Sequence, residues 1–127
     1  MKRILIVEDQ PDIRKLIRMT MEFEAYEIHE ASDASDASTA LAMAASLQPD
    51  LIVMDVMMPG DIDGLQACAR LKCDDVLRHI KLILLTARGQ QKDREAGLAA
   101  GADEYLLKPF SPVQLVDTIE RLMATAC

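Results

Sequence analysis

Four stretches of this sequence pair an apolar run with a chemically able side chain at its C-terminal end. Ile4-Leu5-Ile6-Val7 runs into Glu8 and Asp9, and Leu51-Ile52-Val53-Met54 runs into Asp55. Ile80-Lys81-Leu82-Ile83-Leu84-Leu85 ends in Thr86, and Tyr105-Leu106-Leu107 ends in Lys108. If these runs are parallel strands of one sheet, three carboxylates, a hydroxyl and an ammonium converge at one edge. Three close anions repel one another unless a cation joins them. The donors are hard oxygens with no His or Cys among them, which suits Mg²⁺. Lys108 and Thr86 are then placed to hold the oxygens of an incoming phosphoryl group. The chemistry this implies is phosphoryl transfer to a carboxylate.

Each piece has a plainer reading by itself. Acids after a strand commonly cap the following helix, Thr86 is an ordinary strand end, and Lys-Pro is a common turn. Joint occurrence at four of five strand ends is what favours a site.

The elements that must position these residues alternate strand and helix five times. After the first strand, Ile13, Leu16, Ile17, Thr20 and Met21 follow a helical period, with Pro11 near the start. Tyr26–Glu30 reads as a short strand, and an Ala-rich helix from about Asp36 to Leu47 closes at Gln48-Pro49. The third strand, Asp50–Asp55, leads through a loop holding Pro59, Gly60 and Gly64 to a helix ending near Cys73. The fourth strand, Ile80–Thr86, precedes a helix from about Gln90 to Ala99, and Asp103–Leu107 is the fifth strand. Ser111-Pro112-Val113-Gln114 matches a capping box with Pro at the first helical position. Leu115, Val116, Ile119, Leu122 and Met123 form the inner stripe of the last helix.

Strands apolar on both faces, separated by amphipathic helices, require a parallel sheet covered on both sides. Right-handed crossovers leave a doubly wound α/β sandwich, with function expected beyond the C-terminal strand ends. The 127 residues fit one domain, 1–127, with no visible linker.

Composition narrows the function further. The net charge is −7 and only four aromatics occur, which argues against a nucleic-acid surface. No apolar run reaches the roughly 18 residues of a membrane span. Acids follow the N-terminal apolar run at once and no cleavage site follows, so a cytoplasmic address is expected. Cys68, Cys73 and Cys127 form no CxxC pair, which fits ordinary thiols in a reducing compartment. His29 and His79 belong to a strand and to the start of one, not to an exposed helix as a phosphorelay histidine would. The triplet-like stretch Ala31–Thr39 reads as a lengthened loop rich in capping residues.

Val7-Glu8-Asp9, Met54-Asp55-Val56-Met57-Met58-Pro59-Gly60, Leu85-Thr86-Ala87 and Tyr105-Leu106-Leu107-Lys108-Pro109-Phe110 together resemble the signatures of response-regulator receiver domains. The likeness runs in order and spacing along essentially the whole chain. It implies a flavodoxin-like fold, with five helices around a five-stranded parallel sheet of order 2-1-3-4-5. It implies Asp55 as phosphoacceptor, and Mg²⁺ (or Mn²⁺ as a substitute) on Asp9, Asp55 and the Met57 backbone carbonyl, with Glu8 acting through water. Thr86 would hydrogen-bond the phosphoryl group, Lys108 would pair with it, and Tyr105 would be the switch partner of Thr86. The Tyr105 ring is expected to swing from solvent inward on phosphorylation, changing the surface of the fourth helix, fifth strand and fifth helix. The implied partners are a sensor histidine kinase or a histidine phosphotransfer protein, and a downstream protein. Neither direct nucleic-acid binding nor a membrane is implied, nor multiple turnover on an external substrate.

Two departures from the family pattern stand out: one extra residue in Gly60–Asp63, and three between Ala31 and Ala40. Three other functions compete. Asp61-Ile62-Asp63-Gly64-Leu65 faintly resembles an aspartate-nucleophile phosphatase motif, but it follows Pro59-Gly60 where that motif opens from a buried strand. A flavodoxin-like binding module without turnover is opposed by the full site set. A dinucleotide site is weaker still, because Glu8-Asp9-Gln10-Pro11-Asp12 has no glycines and would repel a pyrophosphate. A start at Met1 and an end just past the last helix favour a stand-alone protein over the N-terminal part of a longer regulator, and both readings stay open.

Overall fold

Leu51, Ile52, Val53, Met54 and Asp55 are all buried, so the strand they form is covered on both faces. The computed structural model describes residues 2–8, 10–21, 26–30, 37–55, 64–87, 101–108 and 110–124. In chain order its elements are β1 (Lys2–Val7), α1 (Pro11–Met21), β2 (Tyr26–Glu30), α2 (Ala37–Leu47) and β3 (Leu51–Asp55). They continue with α3 (Gly64–Cys73), β4 (Lys81–Ala87), β5 (Glu104–Lys108) and α4 (Pro112–Ala124). The helix expected over about 90–99 lies outside the described residues, as do the loops 31–36 and 60–63. All strand pairs are parallel and the order is β2-β1-β3-β4-β5, as expected.

The two-residue period of the strands divides the core into two layers. Leu5, Val7, Ile52, Met54, Leu82 and Leu84 point to one side, where Ala44 of α2 and Cys68 and Leu71 of α3 cover them. Ile4, Ile6, Leu51, Val53, Ile83 and Leu85 point to the other, against Ile17 and Met21 of α1 and Leu115 and Ile119 of α4. Fully burying such a side chain contributes about 1.5–3 kcal/mol, and a one-residue slip of any strand would exchange the layers.

Local chemistry ends the elements where it should. Gln48 takes a left-handed φ of 51° just past α2, and its N–H donates to the Ala44 carbonyl at 2.9 Å before Pro49 stops the helix. At α4 the capping box is reciprocal: Gln114 N donates to Ser111 Oγ at 3.1 Å, and Ser111 N donates to Gln114 Oε1 at 2.9 Å. Replacing Ser111 by Ala should therefore lower stability by about 1 kcal/mol in urea unfolding, with an unchanged m value.

One helix residue faces otherwise than its period suggests. Leu16 is exposed, and with Met19 and Thr20 of α1 and Pro112, Val113 and Val116 of α4 it lines a shallow apolar groove. The inner face of α1 is narrower than the sequence pattern, resting on Ile17 and Met21.

A polar staple ties the lower end of the sheet. Lys72 Nζ donates to the Ile80 carbonyl at 2.7 Å and to Asp103 Oδ2 at 2.8 Å. The same Asp103 oxygen accepts from Leu82 N at 2.9 Å, joining α3, β4 and the turn before β5. Gly101 in that turn has φ +105°, and a Cβ there would sit 2.8 Å from Lys72 Cγ, so close approach and backbone both call for glycine. Cys68, packed beside this staple, has its thiol pushed up to about 11, chiefly by burial. A buried thiol held protonated is a packing group, as the cysteine spacing suggested.

Candidate functional site

The chain reverses its direction of sheet growth between β1 and β3. β2 is added on one side of β1, and β3, β4 and β5 on the other. In sheets of this kind function usually lies beyond the C-terminal strand ends at such a switch point. Val7 pairs with Met54, so the next residues, Glu8 and Asp55, come level at the ends of adjacent strands. Their relative exposures are 0% and 5%, and of the described residues only Thr118 joins them as a buried polar side chain. Burying two neighbouring carboxylates is costly unless positive charge compensates them.

Asp55 also pairs with Leu85, the residue before Thr86. Thr86 in turn pairs with Leu107, and Ala87 with Lys108. The backbone thus brings Glu8, Asp55, Thr86 and Lys108 to one end of three adjacent strands and their neighbour β5. The side chains of Thr86 and Lys108, and all of Asp9 and Met57, lie outside the described structure. Among the described residues no three potential metal ligands are grouped. Two carboxylates with oxygen donors alone still match what a hard divalent cation prefers.

Glu8 also performs the plainer role that acids after a strand often have. Its Oε1 accepts from Gln10 N at 3.2 Å, just ahead of α1. Its backbone carbonyl accepts from Arg14 Nη1 at 2.9 Å. Arg14 was not apparent as a site residue, because nothing in a helical period marks a cation that folds back six positions along the chain.

Tyr105 departs from expectation. Its ring is 8% exposed and packs with Leu84 and Ala102, so it is already inside rather than in solvent. Position 105 pairs with Leu84 on β4, and the strand period turns it into the α2–α3 layer of the core. His29 lies in edge strand β2 with Nε2 3.1 Å from Glu27 Oε2, and His79 lies in the turn before β4. Neither belongs to a helix.

Residues 4–120 match the family model of the response regulator receiver domain. The chain belongs to that family. Receiver domains are the phosphoacceptor switches of two-component systems. This receiver domain is 41% identical over 122 residues to the phosphate regulon transcriptional regulatory protein PhoB of Escherichia coli. The match covers 96% of this chain and 52% of PhoB, so the chain spans about half the length of such curated relatives. It superposes on the chemotaxis response regulator CheY4 of Vibrio cholerae with a TM-score of 0.85 at 30% identity, covering 96% and 98% of the two chains. The receiver domain of the sensor histidine kinase PA1611 from Pseudomonas aeruginosa gives a TM-score of 0.85 at 31% identity, covering 98% of each. In that structure a magnesium ion is coordinated in the active-site cleft. No described helix of this chain is long and apolar enough to cross a membrane.

Proposed function

We propose that this receiver domain takes a phosphoryl group on Asp55 from a phosphohistidine, in a site completed by Mg²⁺. The observation that supports it most is the pair of buried carboxylates, Glu8 and Asp55, level with each other at the sheet's switch point. Asp9, Asp55 and the Met57 carbonyl are the proposed ligands, with Glu8 reaching through water; Mn²⁺ is the proposed substitute. The bound cation supplies charge compensation for the carboxylates and for the phosphoryl oxygens. The Asp55 carboxylate oxygen attacks phosphorus, the bond from phosphorus to the histidine nitrogen breaks, and the acyl phosphate remains on the protein. Thr86 donates its hydroxyl to one phosphoryl oxygen and Lys108 pairs with another.

The phosphoryl group brings roughly −1.5 to −2 charges to one strand end. Drawn toward it, Thr86 frees volume beside the inward Tyr105 ring. Phosphorylation then favours an arrangement the ring already samples, a shift of population rather than a new state. The surface formed by β5, by α4 and by the segment that links β4 to β5 is where a downstream partner would sense the change. The domain is one unit over residues 1–127, cytoplasmic, modified once per signal rather than turning over an external substrate. Its donor is a sensor kinase or a phosphotransfer protein.

Incubation with acetyl phosphate and Mg²⁺ should add one phosphoryl group per chain, and prior chelation should prevent it. Incorporation that is undiminished in excess chelator would contradict the metal assignment.

A further inference from the structure

Arg14 stands one turn into α1 with its side chain 16% exposed. Its Nη1 donates to the Glu8 carbonyl at 2.9 Å, and its Nε faces Glu30 Oε1 at 3.9 Å. Glu30, at the end of β2, is held on its other oxygen by Arg18 Nη1 at 2.7 Å. The guanidinium therefore bridges the end of β2 to the turn leaving β1. The carbonyl oxygen it grips belongs to the peptide that links Glu8 to Asp9. Glu8 is fixed a second time through Gln10 N, which restrains its carboxylate.

We infer that Arg14 is a positioning residue for the divalent-cation site, orienting the Glu8–Asp9 peptide without touching the metal. The inference rests on the reading of Glu8, Asp9 and Asp55 as the cation's carboxylates. Outer partners that orient metal ligands typically matter by about 10–100-fold in metal affinity. An arginine near a cation also repels it, and removing that charge would act in the opposite direction. Here Glu30 lies between the Arg14 and Arg18 guanidiniums and offsets part of that charge, and we take the loss of orientation as the larger effect. Arg18 separates this role from simple tethering of α1 to β2. It holds Glu30 at a shorter distance than Arg14 does and makes its described contact there, away from Glu8.

The test is Mg²⁺ titration of the full chain by calorimetry, with the rate of phosphorylation by acetyl phosphate measured at saturating Mg²⁺. Arg14→Ala should weaken Mg²⁺ binding by about tenfold or more, leaving the saturated rate within about twofold of wild type. Arg18→Ala should bind Mg²⁺ within about twofold of wild type, and Arg14→Lys, which keeps one donor, should recover part of the loss. Should Arg14→Ala not fold, Arg14→Met, which keeps the buried stem but no donor, carries the same expectation. Wild-type affinity in the donor-less variant, or an equal loss in Arg18→Ala, would overturn the inference and leave the site reading intact. Absence of Mg²⁺ binding in the wild-type chain would instead overturn both.

Discussion

Asp55→Asn should reduce phosphoryl incorporation from acetyl phosphate to background while making the metal-free protein more stable. The two effects share one cause. The carboxylate is buried at 5% exposure, level with the wholly buried Glu8 on the neighbouring strand, and two buried like charges oppose folding. An amide fills the same volume but lacks the anionic oxygen that attacks phosphorus. Removing one of the crowded charges should stabilise the protein in chelator by about 1 kcal/mol. Unfolding in urea with chelator present measures the gain, and mass spectrometry of the intact chain measures incorporation. A variant that loses phosphorylation and also loses stability would point to a structural role for Asp55.

Asp103→Ala should be among the most damaging single changes away from the site. One oxygen of Asp103 receives both Lys72 Nζ and Leu82 N, so truncation leaves an ammonium and a strand N–H short of an acceptor. The pair is mostly covered, at 16% and 24% side-chain exposure, so solvent screens it only in part. Breaking a fully buried pair costs about 3–5 kcal/mol; a discount for this exposure leaves about 2–3 kcal/mol. For a domain of this size that lowers the melting temperature by on the order of 10 °C. Asp75→Ala is the control. Its contact with Arg78 is 3.9 Å long and the carboxylate is 94% exposed, so the variant should melt with the wild type. Equal melting of Asp103→Ala and Asp75→Ala would show that the staple contributes nothing.

Much of this architecture could be read before any coordinates, and particular residues say why. Strand β3 is apolar at four successive positions and then ends in Asp55; only a strand covered on both faces tolerates that pattern. Ser111, Pro112 and Gln114 announce α4 through contacts within three residues of each other, which sequence spacing specifies directly. The expectations that needed revision depend on contacts distant in sequence. Leu16 obeys the helical period of α1 but faces the groove shared with α4, because the angle between two helices decides which flank is covered. Tyr105 sits inward because β5 pairs in a register that turns it toward the α2–α3 layer. Lys72 meets Asp103 through the turn before β5, a contact that spacing within α3 does not specify. Arg14 became a site neighbour only when α1 packed back on the end of β1. The strand ends bearing Glu8, Asp55, Thr86 and Lys108 needed no such help, since chain direction alone carries parallel strands to one edge.

A single carboxylate, Asp55, is proposed to receive the phosphoryl group. The most direct measurement traps the acyl phosphate by borohydride reduction after treatment with acetyl phosphate and Mg²⁺, and locates the reduced residue by peptide sequencing. Homoserine is expected at position 55, with Glu8 and Asp9 unmodified. Reduction at either of those acids, or phosphate recovered on His29 or His79 with position 55 intact, would contradict it.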